Sequence, residues 1–391
     1  MIRTLITIAC LLTPACAATT WSAEPASPRP RARELHIEPG VFPPGPRNAI
    51  TDVAGVRVGQ VTLISGDNIR TGVTAILPHD GNLFQQKVPG AVFVGNAFGK
   101  LAGSTQVNEL GTIETPIVLT NTLAVGVAVD AVVGHTLSQK GNEQIRSVNA
   151  LVGETNDGGL NDVRSRPVTA EHVLKAITTA TGGEVAEGCV GAGTGCEAFG
   201  FKGGIGTASR KLPEQFGGWT LGVLVQANFG GVLMIDGLPI GKQLQNHPFV
   251  EPAKKNAMTE SKRRTADGSC MIVVATDAPL SPNDLRRLAA RAVFGLARTG
   301  SSFSNGSGDF AIAFSTAPDL RVSHQATATE QRHILLASDA LTPLFEAALE
   351  STEEAVYNAL LRATTTKGSG RTVEAISIEK LREQLQSRSG K

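Results

Sequence analysis

The sequence contains few aromatic residues and almost no net charge, and both shortages narrow what the protein can do. Phe, Trp and Tyr make up 4% of the 391 residues, whereas glycine occurs 43 times. Many small side chains and few large rings favour close backbone packing and frequent turns. A formal net charge of +1 is not typical of proteins that bind nucleic acid or an anionic membrane surface, so we expect neither partner. The length suffices for one large domain or two ordinary domains.

Cysteine is scarce as well, and its spacing predicts neither a disulfide framework nor a metal site. Of the 5 cysteines, Cys189, Cys196 and Cys270 remain when the N-terminal hydrophobic segment is set aside. Such a set is not a disulfide framework, although pairing of Cys189 with Cys196 stays open. None of them has metal-site spacing with a histidine. We therefore expect no metal and no cofactor.

Long hydrophobic runs are missing, apart from a short one at the N-terminus. The positive charge of Arg3 precedes the apolar stretch Leu5–Leu12, and residues 15–17 form a small-residue cleavage pattern. We interpret residues 1–17 as a secretory signal peptide that is too short to act as a membrane anchor. The protein is therefore predicted to be periplasmic or secreted. Residues 18–45, rich in Pro and Arg, are predicted to be a flexible lead-in.

An abrupt change in composition at Ser269 is the most informative feature of the chain. Residues 241–268 form a polar stretch without apolar periodicity and predict an exposed loop, whereas Met271–Ala275 is typical of a buried strand. If the bond between Gly268 and Ser269 were cleaved, the serine would carry a free α-amine with a pKa of about 8. That amine can act as the base for the serine's own hydroxyl. A linker that simply ends at a strand is the alternative on local sequence alone.

Periodicity predicts strands and helices along most of the chain. The predicted strands are Val56–Leu63, Arg70–Pro78, Gly90–Gly95, Thr115–Thr122, Ala150–Glu154, Trp219–Gly230 and Phe310–Ser315. The predicted helices are Ala124–Gln139, Thr169–Thr179, one that begins after the capping residue Ser281, Leu341–Leu360 and Ser377–Gln386. The glycine-rich stretch 188–196 lacks a phosphate-binding lysine, so it predicts close backbone packing or a site-lining loop, not a nucleotide site.

Polar side chains stand at the ends of three of these strands. Glu154 ends one strand, Asn228 lies near the end of another, and Ser307 and Asp309 flank the start of a third. Ser307 and Asp309 can share one face because alternate residues of a strand do so. A carboxamide in such a place can donate to an oxyanion. Each residue also fits an ordinary turn or an exposed strand end.

Six groups of short segments, taken in their order along the chain, are more specific than any single motif. They are Ile50–Val53 with Arg70–Thr74, Glu109–Gly111 with Glu114–Ile117, Phe199–Thr207, Val225–Gly230, Ala275–Leu280 and Ser307–Asp309. In this order they resemble the L-aminopeptidase/D-Ala-esterase-amidase (DmpA-like) and β-peptidyl aminopeptidase family. The resemblance extends from Ile50 to Ile378 and implies a four-layer αββα sandwich, distantly like ornithine acetyltransferase.

The resemblance also implies that the precursor cleaves itself between Gly268 and Ser269. The product would be one catalytic domain made of an α chain, residues 46–268, and a β chain, residues 269–391. Ser269 is then the nucleophile. Cys270 is a rival nucleophile by position, but neighbouring residues of a strand point to opposite faces.

Further roles follow from the resemblance, residue by residue. Ser307 and Asp309 match the positions that orient and support the proton-transfer network of the nucleophile. Asn228 matches the oxyanion donor, and Glu154 matches the carboxylate that holds the substrate's free amino group. Asn156 takes the place of a tyrosine that assists the oxyanion in some members, so the pocket wall is expected to be more open.

The expected function is that of an exported, self-processing serine aminopeptidase/amidase. It would remove N-terminal amino acids from short peptides, amides or esters through an acyl-enzyme on Ser269, and the family implies homo-oligomers of αβ units. An acyltransferase of the ornithine acetyltransferase type is one alternative, although those relatives use an N-terminal threonine. A non-catalytic binding protein on the same fold is the other. The preference among L-α, D-α and β-amino acids stays open.

Overall fold

The computed structural model describes residues 29–250, 268–324 and 330–389. The predicted signal peptide, residues 1–17, lies outside these ranges. The strands are β1 Arg57–Ser65, β2 Ile69–Leu77, β3 Gln86–Ala97, β4 Leu101–Ala102, β5 Thr112–Ile113, β6 Ile117–Asn121, β7 Leu151–Thr155, β8 Glu197–Ala198, β9 Phe201–Lys202, β10 Gly204–Lys211, β11 Thr220–Asn228, β12 Ser269–Thr276, β13 Gly308–Ser315, β14 Val322–Ser323, β15 Thr366–Gly368 and β16 Arg371–Val373.

The helices connect and cover these strands. They are α1 Ser104–Leu110, α2 Val125–Ser138, α3 Ala170–Thr178, α4 Ile240–Gln243, α5 Pro282–Arg298, α6 Thr342–Arg362 and α7 Ile378–Ser389. Every helix and strand that periodicity predicts is present, with ends shifted by a few residues. The cap of α5 is also as predicted, because Ser281 Oγ accepts from the N–H of Asp284 at 3.1 Å. Across the described ranges, no helix has both the length and the apolar character needed to cross a bilayer.

Two large sheets organise the mixed α/β fold. The first has the order β1-β2-β6-β7-β4, and the second has the order β10-β11-β12-β13-β3-β14 with β5 paired to β3. The pairs β6/β7 and β12/β13 are parallel. Parallel neighbours need a crossover connection, and α2 and α5 provide these two. The strand that begins with Ser269, β12, therefore lies inside the second sheet, between β11 and β13.

Three hydrophobic cores separate the layers of secondary structure. One packs α2 and α3 against the first sheet, one lies between the two sheets, and one packs α5 and α6 against the second sheet. Strand β12 contributes Met271 and Val273 to the core between the sheets and Cys270 and Ile272 to the core on the helix side. Because both of its faces are buried, its sequence is a continuous apolar run and does not alternate.

The predicted lead-in differs from expectation over its described part. Residues 29–45 pack on the body of the protein and are not a flexible arm: Ile37 is 1% exposed. Arg33 forms an ion pair of 3.0 Å with Glu354, a buried carboxylate of α6. Arg29 donates from Nε to the carbonyl oxygen of Leu361 at 2.8 Å. Composition indicated a flexible segment, but these arginine side chains satisfy buried acceptors, which are costly to leave unpaired.

The predicted exposed loop, residues 241–268, is corrected at both of its ends. Gly241 is buried in α4, and its N–H donates to the carbonyl oxygen of Leu233 at 2.9 Å. Gly268 is buried as well, next to the first residue of β12. Residues 251–267 lie outside the described part of the chain, so for them the prediction stands untested.

Candidate active site

The ends of four strands meet around the hydroxyl of Ser269. Strand register places Asn228 of β11 opposite Ser269 in one direction and Gly308 of β13 opposite it in the other. Strand β7 of the other sheet packs over β12, since a Cβ atom added to Gly153 would lie 2.8 Å from the sulfur of Met271. The site therefore lies at the edge of the core between the two sheets. Ser269 itself is 5% exposed.

One backbone donor serves both Ser269 and the residue before it. The N–H of Gly308 donates to Ser269 Oγ at 3.2 Å and to the carbonyl oxygen of Gly268 at 3.2 Å. A Cβ atom on Gly268 would lie 2.3 Å from the carbonyl oxygen of Asn228 and 2.5 Å from Cα of Phe229. No side chain fits there without backbone movement, so the local packing requires glycine before the serine.

Ser307 and Asp309 form a buried pair beside the start of β12. Ser307 Oγ donates to Asp309 Oδ1 at 2.9 Å, and the two residues are 1% and 0% exposed. Burial raises the pKa of Asp309 to about 6, although the hydroxyl of Ser307 and the backbone N–H of Cys270 act in the opposite direction. Asp309 is paired with Cys270 in the sheet. The carboxylate of Asp309 therefore lies next to the backbone of residues 269–270, on the face of the sheet opposite to the side chain of Ser269.

The side chain of Asn228 is held in a single orientation. Its Oδ1 accepts from the N–H of Glu197 at 2.9 Å, and its Nδ2 donates to the carbonyl oxygen of Asn156 at 3.1 Å. A donor on one side and an acceptor on the other decide which atom of the amide is nitrogen. A carboxamide nitrogen carries two hydrogens, so one remains for an oxyanion formed beside Ser269.

Glu154 is a buried carboxylate close to Gly308, the residue whose N–H donates to Ser269 Oγ. Its side chain is 3% exposed and its Oε1 lies 3.2 Å from the Nζ of Lys100, which is 52% exposed. The backbone N–H of Lys100 donates to the same oxygen at 3.0 Å. A Cβ atom on Gly99 would lie 3.1 Å from Glu154 Oε1 and 3.4 Å from Cα of Gly308. Glu154, from the first sheet, thus lies close to Gly308 of the second sheet, and Lys100 is a partner of Glu154 that sequence reasoning missed.

Asn156 contributes to the site through its backbone. Its carbonyl oxygen accepts from Asn228, as described above. Its side-chain Oδ1 instead accepts from the N–H of Gly158 at 3.0 Å, which closes a tight turn. The predicted contact between Asn156 and substrate therefore stays a prediction, whereas its contact with Asn228 is a feature of the structure.

Lys202 is a second residue that sequence reasoning missed. It is 0% exposed, and its Nζ donates to the carbonyl oxygens of Gly193 at 3.1 Å, Cys196 at 2.8 Å and Gly203 at 2.9 Å. The glycine-rich stretch is thus closely packed around an ammonium group, in agreement with the predicted close backbone packing. Glu197, whose N–H donates to Asn228 Oδ1, is the residue directly after this stretch. The position of Lys202 next to glycines was the sequence feature that could have indicated a buried lysine.

The three described cysteines are free thiols. Cys189 Sγ accepts from the N–H of Thr364 at 3.3 Å, whereas Cys196 Sγ lies 3.4 Å from Thr155 Oγ1, so the pairing that stayed open is not present. Cys270 lies in the core on the helix side, as expected. Burial raises the pKa of the Cys270 thiol well above its ordinary value, and the nearby carboxylate of Asp309 acts in the same direction. Within the described residues, no His, Cys, Asp or Glu cluster is arranged to hold a metal ion.

The fold and the site define a hydrolase with an N-terminal nucleophile, and comparison with known proteins identifies its family. The family model described as "Peptidase family S58" matches residues 48–373. The chain belongs to peptidase family S58, which confirms the resemblance found in the sequence. It is therefore a serine aminopeptidase with an N-terminal nucleophile.

Similar proteins extend over almost the whole chain. The β-peptidyl aminopeptidase BapA of Sphingosinicella microcystinivorans is 43% identical over 367 residues, which cover 90% of this chain and 91% of that protein. The solved structure of a Burkholderia sp. β-aminopeptidase has a TM-score of 0.82 at 39% identity and covers 91% of this chain and 98% of its own. The L-aminopeptidase D-Ala-esterase/amidase of Ochrobactrum anthropi, described as a variant of the Ntn hydrolase fold, has a TM-score of 0.82 at 37% identity, with coverages of 92% and 99%.

Proposed function

We propose that the precursor cleaves its own Gly268–Ser269 bond and then uses Ser269 to release N-terminal amino acids from short peptides, amides or esters. The observation that carries the proposal is the shared donor. The N–H of Gly308 contacts both the hydroxyl oxygen of Ser269 and the carbonyl oxygen of Gly268. Nucleophile, scissile carbonyl and a donor for the developing charge thus lie together in the uncleaved chain.

Self-cleavage proceeds by an N-to-O acyl shift. Ser269 Oγ adds to the carbonyl carbon of Gly268, and the N–H of Gly308 stabilises the negative charge that develops on the carbonyl oxygen. The C–N bond then breaks as the nitrogen takes up the proton that the Ser269 hydroxyl lost on attack, which leaves an ester between Gly268 and Ser269. Water hydrolyses this ester to the carboxylate of Gly268 and a Ser269 with a free α-amine and hydroxyl.

Turnover uses the same hydroxyl with a new base. The free α-amine, with a pKa of about 8, removes the proton of Ser269 Oγ as this atom attacks the substrate carbonyl. Asn228 donates its remaining N–H to the oxyanion, and Glu154 binds the substrate's ammonium group. Ser307 and Asp309 support the backbone end that carries the amine. The leaving amine or alcohol takes this proton from the α-ammonium of Ser269 and departs, and water then releases the acyl group from the serine as a carboxylic acid.

The proposed substrate class includes β-aminoacyl groups beside L-α and D-α ones. Two of the similar proteins carry names that specify β-peptides or β-amino acids. Asn156 and the glycines after it stand in this chain where the resemblance implies a tyrosine in some members, which supports a more open pocket. Parallel assays with β-, L-α- and D-α-aminoacyl p-nitroanilides measure the preference directly.

The proposal also covers the layer architecture, the division into two chains, export and oligomerisation. The three cores described above support a four-layer αββα sandwich, made of an α chain, residues 46–268, and a β chain, residues 269–391. The proposal includes export directed by residues 1–17 and assembly into homo-oligomers of αβ units. N-terminal sequencing of the α chain and the native mass of the purified protein test these two points.

Intact-mass analysis with N-terminal sequencing tests the central claim. We expect two fragments, the shorter beginning Ser-Cys-Met-Ile, and release of p-nitroaniline from aminoacyl substrates. The Ser269→Ala variant is expected to remain one chain and to be inactive, because both reactions need the same hydroxyl. A processed and active Ser269→Ala protein contradicts the mechanism. A wild-type chain that stays uncleaved and inactive supports the non-catalytic alternative.

A further inference from the structure

Lys100 occupies the position on Glu154 where a substrate cation is expected to bind. Its Nζ lies 3.2 Å from Glu154 Oε1. We propose that Lys100 is the resident counter-ion of this amine subsite, that the substrate's ammonium displaces it, and that Lys100 thereby sets the KM for substrates with a free amino group. This inference rests on the proposed function, since it assumes that Glu154 binds the ammonium.

Strand pairing puts the lysine in this place. The short strand β4 runs antiparallel to β7, with Leu101 opposite Gly153 and Ala102 opposite Val152. One step further in the same register, Lys100 faces Glu154 across the two strands. Directly opposed residues of an antiparallel pair interact most strongly when their charges are opposite. Lys100 therefore meets Glu154 as a consequence of the pairing.

The segment that carries Lys100 also passes over the nucleophile's hydrogen-bond donor. The N–H of Phe98 donates to the carbonyl oxygen of Ser307 at 3.1 Å. A Cβ atom on Gly308 would lie 2.6 Å from the carbonyl oxygen of Phe98 and 3.1 Å from Cα of Gly99. Lys100 thus directly follows the backbone that packs on Gly308, the residue whose N–H donates to Ser269 Oγ, and its side chain reaches Glu154.

The two partners differ sharply in exposure, and that difference makes the pair exchangeable. The Glu154 side chain is 3% exposed, whereas that of Lys100 is 52% exposed. A buried carboxylate is costly without a compensating cation, so the free enzyme needs the lysine. A half-exposed ammonium regains water when it leaves, and this hydration discounts the free energy of the pair towards that of a surface ion pair, about fivefold in an equilibrium constant. The lysine can therefore stabilise the empty site without blocking it.

Displacement also explains how the subsite selects its ligand. The backbone N–H of Lys100 bonds Glu154 Oε1 at 3.0 Å and does not depend on the side chain's position. When the side chain leaves, an incoming ammonium restores the charge balance of the carboxylate. An N-acylated or otherwise neutral amino group leaves the carboxylate uncompensated and does not replace the lysine. Substrates with a free N-terminal ammonium are selected as a result.

Steady-state kinetics of the processed enzyme test this proposal. We expect Lys100→Gln to lower the KM for an aminoacyl p-nitroanilide by about two- to fivefold, because the competing cation is gone. The kcat should remain of the same order, since the lysine has left in the bound state. Lys100→Arg keeps a cation and should retain the wild-type KM. Lys175→Gln is the matched control, because it removes an equal charge from an exposed position on α3.

Glu154→Gln separates the failure of this inference from that of the proposed function. We expect it to raise KM strongly and to abolish the effect of Lys100→Gln in the double variant. An unchanged KM in Glu154→Gln overturns Glu154 as the amine-binding group, and with it the basis of the inference. A raised KM in Glu154→Gln, together with an unchanged or raised KM in Lys100→Gln, overturns only the displacement by Lys100.

Discussion

Replacing Asn228 is expected to separate the two reactions that we propose for Ser269, self-cleavage and substrate hydrolysis. In the uncleaved chain the carbonyl oxygen of Gly268 already accepts from the N–H of Gly308. The Asn228 carboxamide is held between Glu197 and Asn156, and its second N–H is the one that we propose to donate to the substrate's oxyanion. We therefore expect Asn228→Ala to lower kcat by about 10²–10³, or about 3–4 kcal/mol, the usual cost of one lost oxyanion donor. Cleavage of the precursor should still occur.

The assay compares p-nitroaniline release with the extent of processing measured by intact mass. Asn228→Ala also leaves the N–H of Glu197 without its acceptor, which costs about 1–3 kcal/mol of stability. Asn228→Asp is the control, because its carboxylate still accepts from Glu197 but has no N–H for the oxyanion. Its kcat should be as low as that of the alanine variant. A kcat near wild type in either variant refutes the oxyanion role, and loss of processing in both refutes the assignment of Gly308 as the donor for self-cleavage.

Two further predictions concern processing and pH. Gly268→Ala should stay uncleaved by intact mass, because the added methyl group would lie 2.3 Å from the carbonyl oxygen of Asn228; complete processing would contradict this packing argument. The pKa of Asp309 is raised from 3.8 to about 6 by burial, so the folded protein holds a proton that the unfolded chain loses, and stability falls as pH rises between these values. Asp309→Asn should therefore show a Tm advantage over wild type that grows from pH 4 to pH 7, and an equal difference at both pH values would refute it.

Local pattern was sufficient to predict the central elements of the fold. Met271–Ala275 is a continuous apolar run because β12 is buried on both faces, and such a run is recognisable without knowing its neighbours. The cap at Ser281 is equally local, since donor and acceptor lie three residues apart. The opposite orientation of Cys270 and Ser269 follows from strand geometry alone. These features depend on short stretches of chain, and for that reason the sequence determined them.

Composition did not predict which charged residues are buried with partners. Residues 29–45 belong to the predicted flexible lead-in, but Arg33 pairs with Glu354, which is more than three hundred positions away in sequence. Lys202 is likewise buried among carbonyl groups that no local pattern assigns to it. Burial of a charge depends on whether distant atoms supply its partners. Only the folded chain answers that question.

By itself, the sequence determined the nucleophile candidate, the order of the strands and helices, and the family. The tertiary structure decided how the site is assembled. Asn228 and Gly308 flank Ser269 because of strand register across the second sheet, and Glu154 arrives from the first sheet with Lys100 opposite it. Register and the stacking of two sheets join residues that are far apart in sequence. The contact of Lys100 with Glu154 depends on β4, a strand of only two residues, too short to leave a periodic signal.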